Sequence, residues 1–186
     1  MSFLSFCQWL AGTRGSIALH ESEYMYLLVE STHVLTLCLF VGMSVMLDLR
    51  LLGVTLRSIP VSQMIDWLLP WMTAGFVIMV VTGALLFYGI PVRSYQNVFF
   101  RAKMLMLVLA GLNAWRFHAT VHRRVAEWDL DRVTPARAKL AGAVSLVLWF
   151  GIIVAGRLIA YNWFDCDKQP QPGIVNQLAG CEEEAP

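Results

Sequence analysis

The chain has 186 residues, of which 58% are hydrophobic and only 15% charged, and its mean hydropathy is +0.60. A soluble domain normally carries about 25% charged residues, so an ordinary water-soluble globular protein is excluded. The net charge of +1 and the lack of a basic tract give no footing for nucleic acid or an acidic partner.

The opening "MSFLSFCQWLAGTRG" has no basic leader and only a short, broken apolar stretch. It reads as an interfacial segment rather than a cleavable signal peptide, with Trp9 and the phenylalanines at headgroup level. Residues 1–23 form this segment, 24–161 a transmembrane domain and 162–186 a polar tail. Four apolar runs follow in order: Tyr24 to Leu47, Trp67 to Ile90, Met104 to Trp115 with its flanks, and Leu140 to Tyr161. Each, with its flanks, approaches or exceeds the ~20 residues that cross a bilayer. A backbone in lipid must satisfy its own hydrogen bonds, so the runs are helices. The fold class is all-α, an integral membrane four-helix bundle.

The first helix is expected to end at "MLDLRLLG", closed by Gly53. Ser62 or Asp66 is the expected cap of the second, and Gly89 with Pro91 breaks that helix. The third runs from Val98 to His122, and the connection after it continues as an amphipathic helix before Pro135. The fourth ends in an aromatic belt of Tyr161, Trp163 and Phe164. Gly75, Gly83, Gly111, Gly151 and Gly156 are expected to let helices approach closely. Arg50, Arg57, Arg123, Arg124, Arg132, Arg137 and Lys139 lie on one side of the spans; Arg14, Arg93 and Lys168 lie on the other. The richer side faces the cytoplasm, so both termini are periplasmic and the protein is a multi-pass protein of a bacterial inner membrane. Cys38 is expected to pack inside the first helix. Cys166 and Cys181, in the tail, are candidates for a disulfide worth roughly 3 kcal/mol.

Polar residues inside the spans carry the functional signal. At 100° per residue, Glu30, His33, Ser44 and Asp48 share one face of the first helix with Tyr26, and that face is expected to point into the bundle. Two readings stand: interhelical hydrogen bonding, or an ion, proton or cofactor site centred on His33. His118 and His122 sit one turn apart on the third helix, a spacing that suits either a metal or a solvated, headgroup-binding face. Lys103, Arg101 and Arg157 gather near the periplasmic interface, where they either snorkel or meet haem propionates, a quinone oxygen or lipid phosphate.

Paired histidines on neighbouring helices clamp b-type haem, and a four-helix bundle is a natural cage for it. Depth tests the pair His33 and His118. By the helical rise, His33 lies roughly 13 Å down from Tyr24 and His118 roughly 30 Å down from Val98. One iron shared by these two is disfavoured; His118 is a ligand only if the estimate fails or a second haem sits lower.

The segments "ESTHVLTLCLFVGMSVMLDLRLLG", "PWMTAGFVIMVVTGALLF", "NVFFRAKMLMLVLAGLNAWRFH" and "SLVLWFGIIVAGRLIAY" resemble an uncharacterised bacterial family of four-helix membrane proteins. More distantly, a membrane histidine followed by Gly42 and an Arg-Leu pair is similar to the HemJ-type protoporphyrinogen oxidases. That resemblance implies haem binding and activity on a first-helix histidine and a later lysine, here His33 and Lys103. CopD-like proteins and bis-histidine membrane cytochromes b share the general architecture.

The leading expectation is a haem b protein that passes electrons between a periplasmic donor or partner subunit and the quinone pool. His33 is its axial ligand, Glu30 orients the imidazole or relays protons, and Lys103, Arg101 and Arg157 neutralise propionates. The alternatives are a non-enzymatic subunit anchoring a larger complex, a HemJ-like porphyrinogen oxidase, and a proton or metal-ion transporter lined by Glu30, His33 and Asp48.

Overall fold

The computed structural model describes residues 3–129, 134–161, 166, 173–179 and 181. The protein is an all-α four-helix bundle, with no strand among the described residues. Its helices are α1 (Phe3–Ala11), α2 (Arg14–Glu21), α3 (Met25–Leu52), α4 (Val61–Gly89), α5 (Pro91–Tyr95), α6 (Val98–Arg116), α7 (Ala136–Ala160) and α8 (Gly173–Ala179). Four stretches are long and apolar enough to cross a membrane: α3, α4, α6 continued to Val121, and α7. At 28 residues, α3 is about 42 Å long, more than a hydrocarbon core requires.

Capping chemistry sets the ends of these helices. Gly53, at φ +72°, ends α3: its N–H donates to the Arg50 carbonyl (3.0 Å) and the Val54 N–H to the Leu49 carbonyl (3.0 Å). This is the Schellman pattern, which favours glycine in the left-handed region. α4 is capped from a distance, by neither residue expected from the sequence. The Asp129 carboxylate accepts from the Ser62 N–H (3.1 Å) and from the Ser62 hydroxyl, while Asp66 is exposed. Buried Asn97 caps α6, its side-chain oxygen accepting from the Phe100 N–H at 3.1 Å.

Beyond Arg116 the chain takes a π turn (Phe117–Val121) and then a 3₁₀ segment (His122–Glu127), where the sequence suggested an amphipathic α-helix. Phe117, Val121 and Trp128 are all buried here, and these tighter and looser turns bring them to one core. The π segment is a local departure of the kind that re-aims side chains at the end of a long helix.

The chain divides into two compact units. Unit 1 comprises Met1–Thr32, Val81–Leu105 and Ile153–Pro186. In it α1 packs on α5, burying Leu4 and Cys7 and leaving Phe3, Phe6 and Trp9 exposed. The corner between α1 and α2 is pinned to α4. The Thr13 hydroxyl donates to the Leu10 carbonyl (2.7 Å), so its bond to Tyr88 (2.8 Å) is donated by the phenol, and the Ser16 hydroxyl donates to the Tyr88 carbonyl (2.7 Å). Cys166 and Cys181 form a disulfide.

Unit 2 comprises His33–Val80 and Met106–Ile152. It holds two apolar clusters. One gathers Leu51, Val61, Ile65, Phe117, Val121, Trp128 and Ala138; the other gathers Phe40, Met79, Trp149 and Ile152, with Met106 packed against it. Phe40 and Trp149 meet at 5.0 Å between ring centroids. Cys38, expected to pack, is exposed. It stands beside exposed Leu35 and Leu39, away from the face that carries Phe40. Gly111, likewise expected at a close approach, has nothing within 4 Å of where a Cβ would stand. Arg132, Trp163, Phe164 and Lys168 lie outside the described residues.

Candidate functional site

The polar face of α3 is real but is not covered along its whole length. Its inner-facing positions run His33, Leu37, Phe40, Ser44, Asp48 and Leu51, about one every three or four residues, as a packed helix requires. Burial rises along this stripe: His33 and Leu37 are half-buried, and Phe40, Ser44, Asp48 and Leu51 are buried. Glu30, one turn before His33, is exposed, contrary to the expectation that the whole stripe points inward. The first turns of α3 are exposed around most of their circumference, at Met25, Leu27 and Leu28 as well. Angle on the helix decides which way a side chain points, but only a neighbour's contact buries it.

In unit 1, Tyr26 lies within electrostatic range of both Glu30 and Arg93. The Lys103 ammonium rests against α7 at Gly156, 3.6 Å from the position a Cβ would occupy. Arg101 is committed elsewhere. Its Nε donates to the Tyr95 carbonyl (2.9 Å), Nη1 to the Leu178 carbonyl and Nη2 to the Ala179 carbonyl (3.0 Å), and the guanidinium lies 4.3 Å from the Tyr95 ring centroid. It therefore caps the C-terminus of α8, where free carbonyls and the helix dipole favour a cation. Arg157 is exposed and donates from Nη2 to the Tyr161 hydroxyl at 3.0 Å.

In unit 2, His118 is exposed in the π turn, its Nδ1 3.3 Å from the Ala114 carbonyl. The side chain of His122 lies outside the described residues. Counted along each helix, His33 is eight residues past Met25, Met106 is eight past Val98, and His118 is twenty past Val98, in the π turn. At the helical rise, eight residues are roughly 12 Å and twenty roughly 30 Å. The Met106 sulfur faces α7, 2.6 Å from where a Cβ on Gly151 would be. The sequence hid Met106 among Met104, Leu105 and Leu107, where it reads as one more apolar residue.

Further along the same stripe, the Asp48 carboxylate accepts from the Ser44 hydroxyl (3.4 Å) and from the Ser145 hydroxyl of α7. Ser145 escaped the sequence reading because it lies nearly 100 residues away. Among the described residues no three His, Cys, Asp or Glu side chains converge, so a metal centre of three or more such ligands has no donor set there.

Fold and site together define a multi-pass, all-α membrane protein with ionisable groups placed inside its spans. The chain belongs to DUF6644, a family of unknown function, whose model matches residues 5–162. No curated protein and no solved structure gives a significant match.

Proposed function

We propose that this chain is a haem b-binding subunit of an inner-membrane electron-transfer system, with His33 as an axial ligand. The observation that carries the reading is the position of His33, a half-buried imidazole on the packed face of a membrane-spanning helix. Intramembrane ionisable groups mark functional sites by default.

The ligand types suit haem. Met106 stands as far along α6 as His33 does along α3, whereas His118 lies twelve residues further on, and His/Met pairs are established haem ligation. Phe40, Met79, Trp149 and Ile152 supply an apolar wall at the same end of unit 2. Bound haem would supply a one-electron carrier, with His33 holding it and this apolar wall excluding water.

The disulfide in the tail supports a periplasmic C-terminus, since such bonds persist in oxidising compartments. With four spans this agrees with the cation asymmetry and supports both termini outside, with a periplasmic redox partner and the quinone pool as the proposed donor and acceptor.

The test is a reduced-minus-oxidised visible spectrum of the detergent-purified protein from haem-sufficient cells, repeated on His33→Ala. A b-type α-band lost in the variant supports the reading. A folded wild-type protein without the band overturns it, and a non-enzymatic anchoring role then takes its place.

A further inference from the structure

A second group of intramembrane polar residues stands apart from the haem reading. Asp48 is 5% exposed and so is Ser44, one turn before it on α3. Ser145 reaches the same carboxylate from α7. The two helices are pressed together at this point: a Cβ on Gly142 would stand 3.0 Å from the Asp48 carbonyl oxygen and 3.2 Å from the Leu51 Cβ. A side chain at position 142 would press on the α3 backbone, so glycine suits this close approach, and Ser145 lies three residues on along the same helix. Leu51, three residues past Asp48, packs in the apolar cluster with Val61 and Ala138.

We propose that Asp48, with Ser44 and Ser145, forms an intramembrane proton-binding site. The carboxylate takes up one proton, forming an O–H bond, and returns it; no electron moves. Both hydroxyls point hydrogens at the carboxylate, so they stabilise it while it is empty and turn to accept when the proton is present. A hard metal cation would need on the order of six oxygen lone pairs, and the named groups are a carboxylate and two hydroxyls that face it as donors. Asp48 lies four residues, roughly 6 Å, before the end of α3, which directs exchange to one side of the bilayer.

The charged groups nearby are otherwise engaged or distant in register. Buried Arg50 donates to the Ile59 carbonyl at 2.7 Å, and Asp129 accepts from Ser62. Lys139 lies three residues before Gly142 at the start of α7, and neighbouring α6 presents neutral Asn113, which donates to the Ala141 carbonyl at 3.0 Å.

The experiment is infrared difference spectroscopy of the full-length purified protein, titrated from alkaline to acid buffer, on wild type, Asp48→Asn and Ser145→Ala. It reads a carbonyl band and is independent of whether haem is bound. The expected result is a carboxylic C=O band that grows on acidification, is missing in Asp48→Asn, and shifts in frequency and midpoint in Ser145→Ala. Three results overturn the proposal: no such band, a band that never changes with pH (a permanently protonated packing group), or a band abolished by sodium at fixed pH. Should Asp48→Asn fail to fold, the Ser145→Ala shift decides, because a carboxyl elsewhere would not feel that hydroxyl.

Discussion

The Met106 sulfur lies where the side chain of residue 151 would begin, 2.6 Å from an ideal Cβ on Gly151. Glycine on α7 is what gives the thioether its place on α6. A methyl group there would displace the sulfur, and because methionine is flexible the bundle absorbs this at modest cost.

Gly151→Ala is therefore expected to cost about 1–3 kcal/mol and, if haem is bound as proposed, to alter its spectrum. Displacing a sulfur ligand would change the potential. The check is the reduced α-band and the midpoint potential of the variant beside Met106→Leu. If both variants keep the wild-type spectrum, Met106 is no ligand and His33 takes its partner from elsewhere.

Arg101 yields a prediction that separates holding α8 from neutralising a cofactor. Its three carbonyl bonds are charge-assisted; two reach the last turn of α8, and the third goes to Tyr95 at the end of α5. Arg101→Ala should lower the local opening free energy of α8 by about 1–3 kcal/mol. Hydrogen exchange of the Gly173–Ala179 amides reads this directly, and Arg101→Lys should rescue little, since an ammonium lacks the planar fork. Exchange unchanged in Arg101→Ala would mean that the disulfide alone holds the helix.

The sequence made the architecture legible because lipid imposes a crude, strong rule: four runs of apolar residues long enough to cross it. Gly53 as the stop of α3 was legible for the same reason, as glycine after a charged turn has a local meaning. What stayed hidden depends on distant partners. Nothing near Ser62 shows that Asp129 will cap α4, and nothing near Arg101 shows that the carbonyls of Leu178 and Ala179 will claim it. Glu30 was misplaced because periodicity gives direction without coverage. Asp48 was legible as an inward-facing residue of the α3 stripe, but its partners were not, since Gly142 and Ser145 come from another helix.

The disulfide should contribute through the unfolded state. It closes a separation of 15 residues, worth roughly 3 kcal/mol in the chain-entropy model. That figure belongs to the tail, so reductant or a Cys166→Ser/Cys181→Ser variant should loosen α8 and leave the spans intact. Limited proteolysis near α8, with helical circular dichroism as the control, tests both halves; loss of the spans' helicity would contradict the assignment.

Cys7 gives the pH-dependent prediction. It is fully buried where α1 packs on α5, and burial pushes its thiol above the ordinary value of 9.0. The unfolded segment then loses its proton at a lower pH than the packed one, so across the interval above about 9 the docked state holds more protons than the undocked state. The contribution of Cys7 to docking is thus fully present below the ordinary thiol range and lost as pH rises through the raised value. Docked α1 should also shield the sulfur, so alkylation should follow opening of the segment. The measurement is the rate of Cys7 alkylation against pH, with Cys7→Ala followed in parallel by fluorescence of Trp9. Alkylation should accelerate more steeply with alkali than thiolate formation in an unfolded peptide, and the Cys7→Ala signal should not show the same alkaline release. A Cys7 that reacts like a free peptide thiol at neutral pH would mean that α1 does not stay docked on α5.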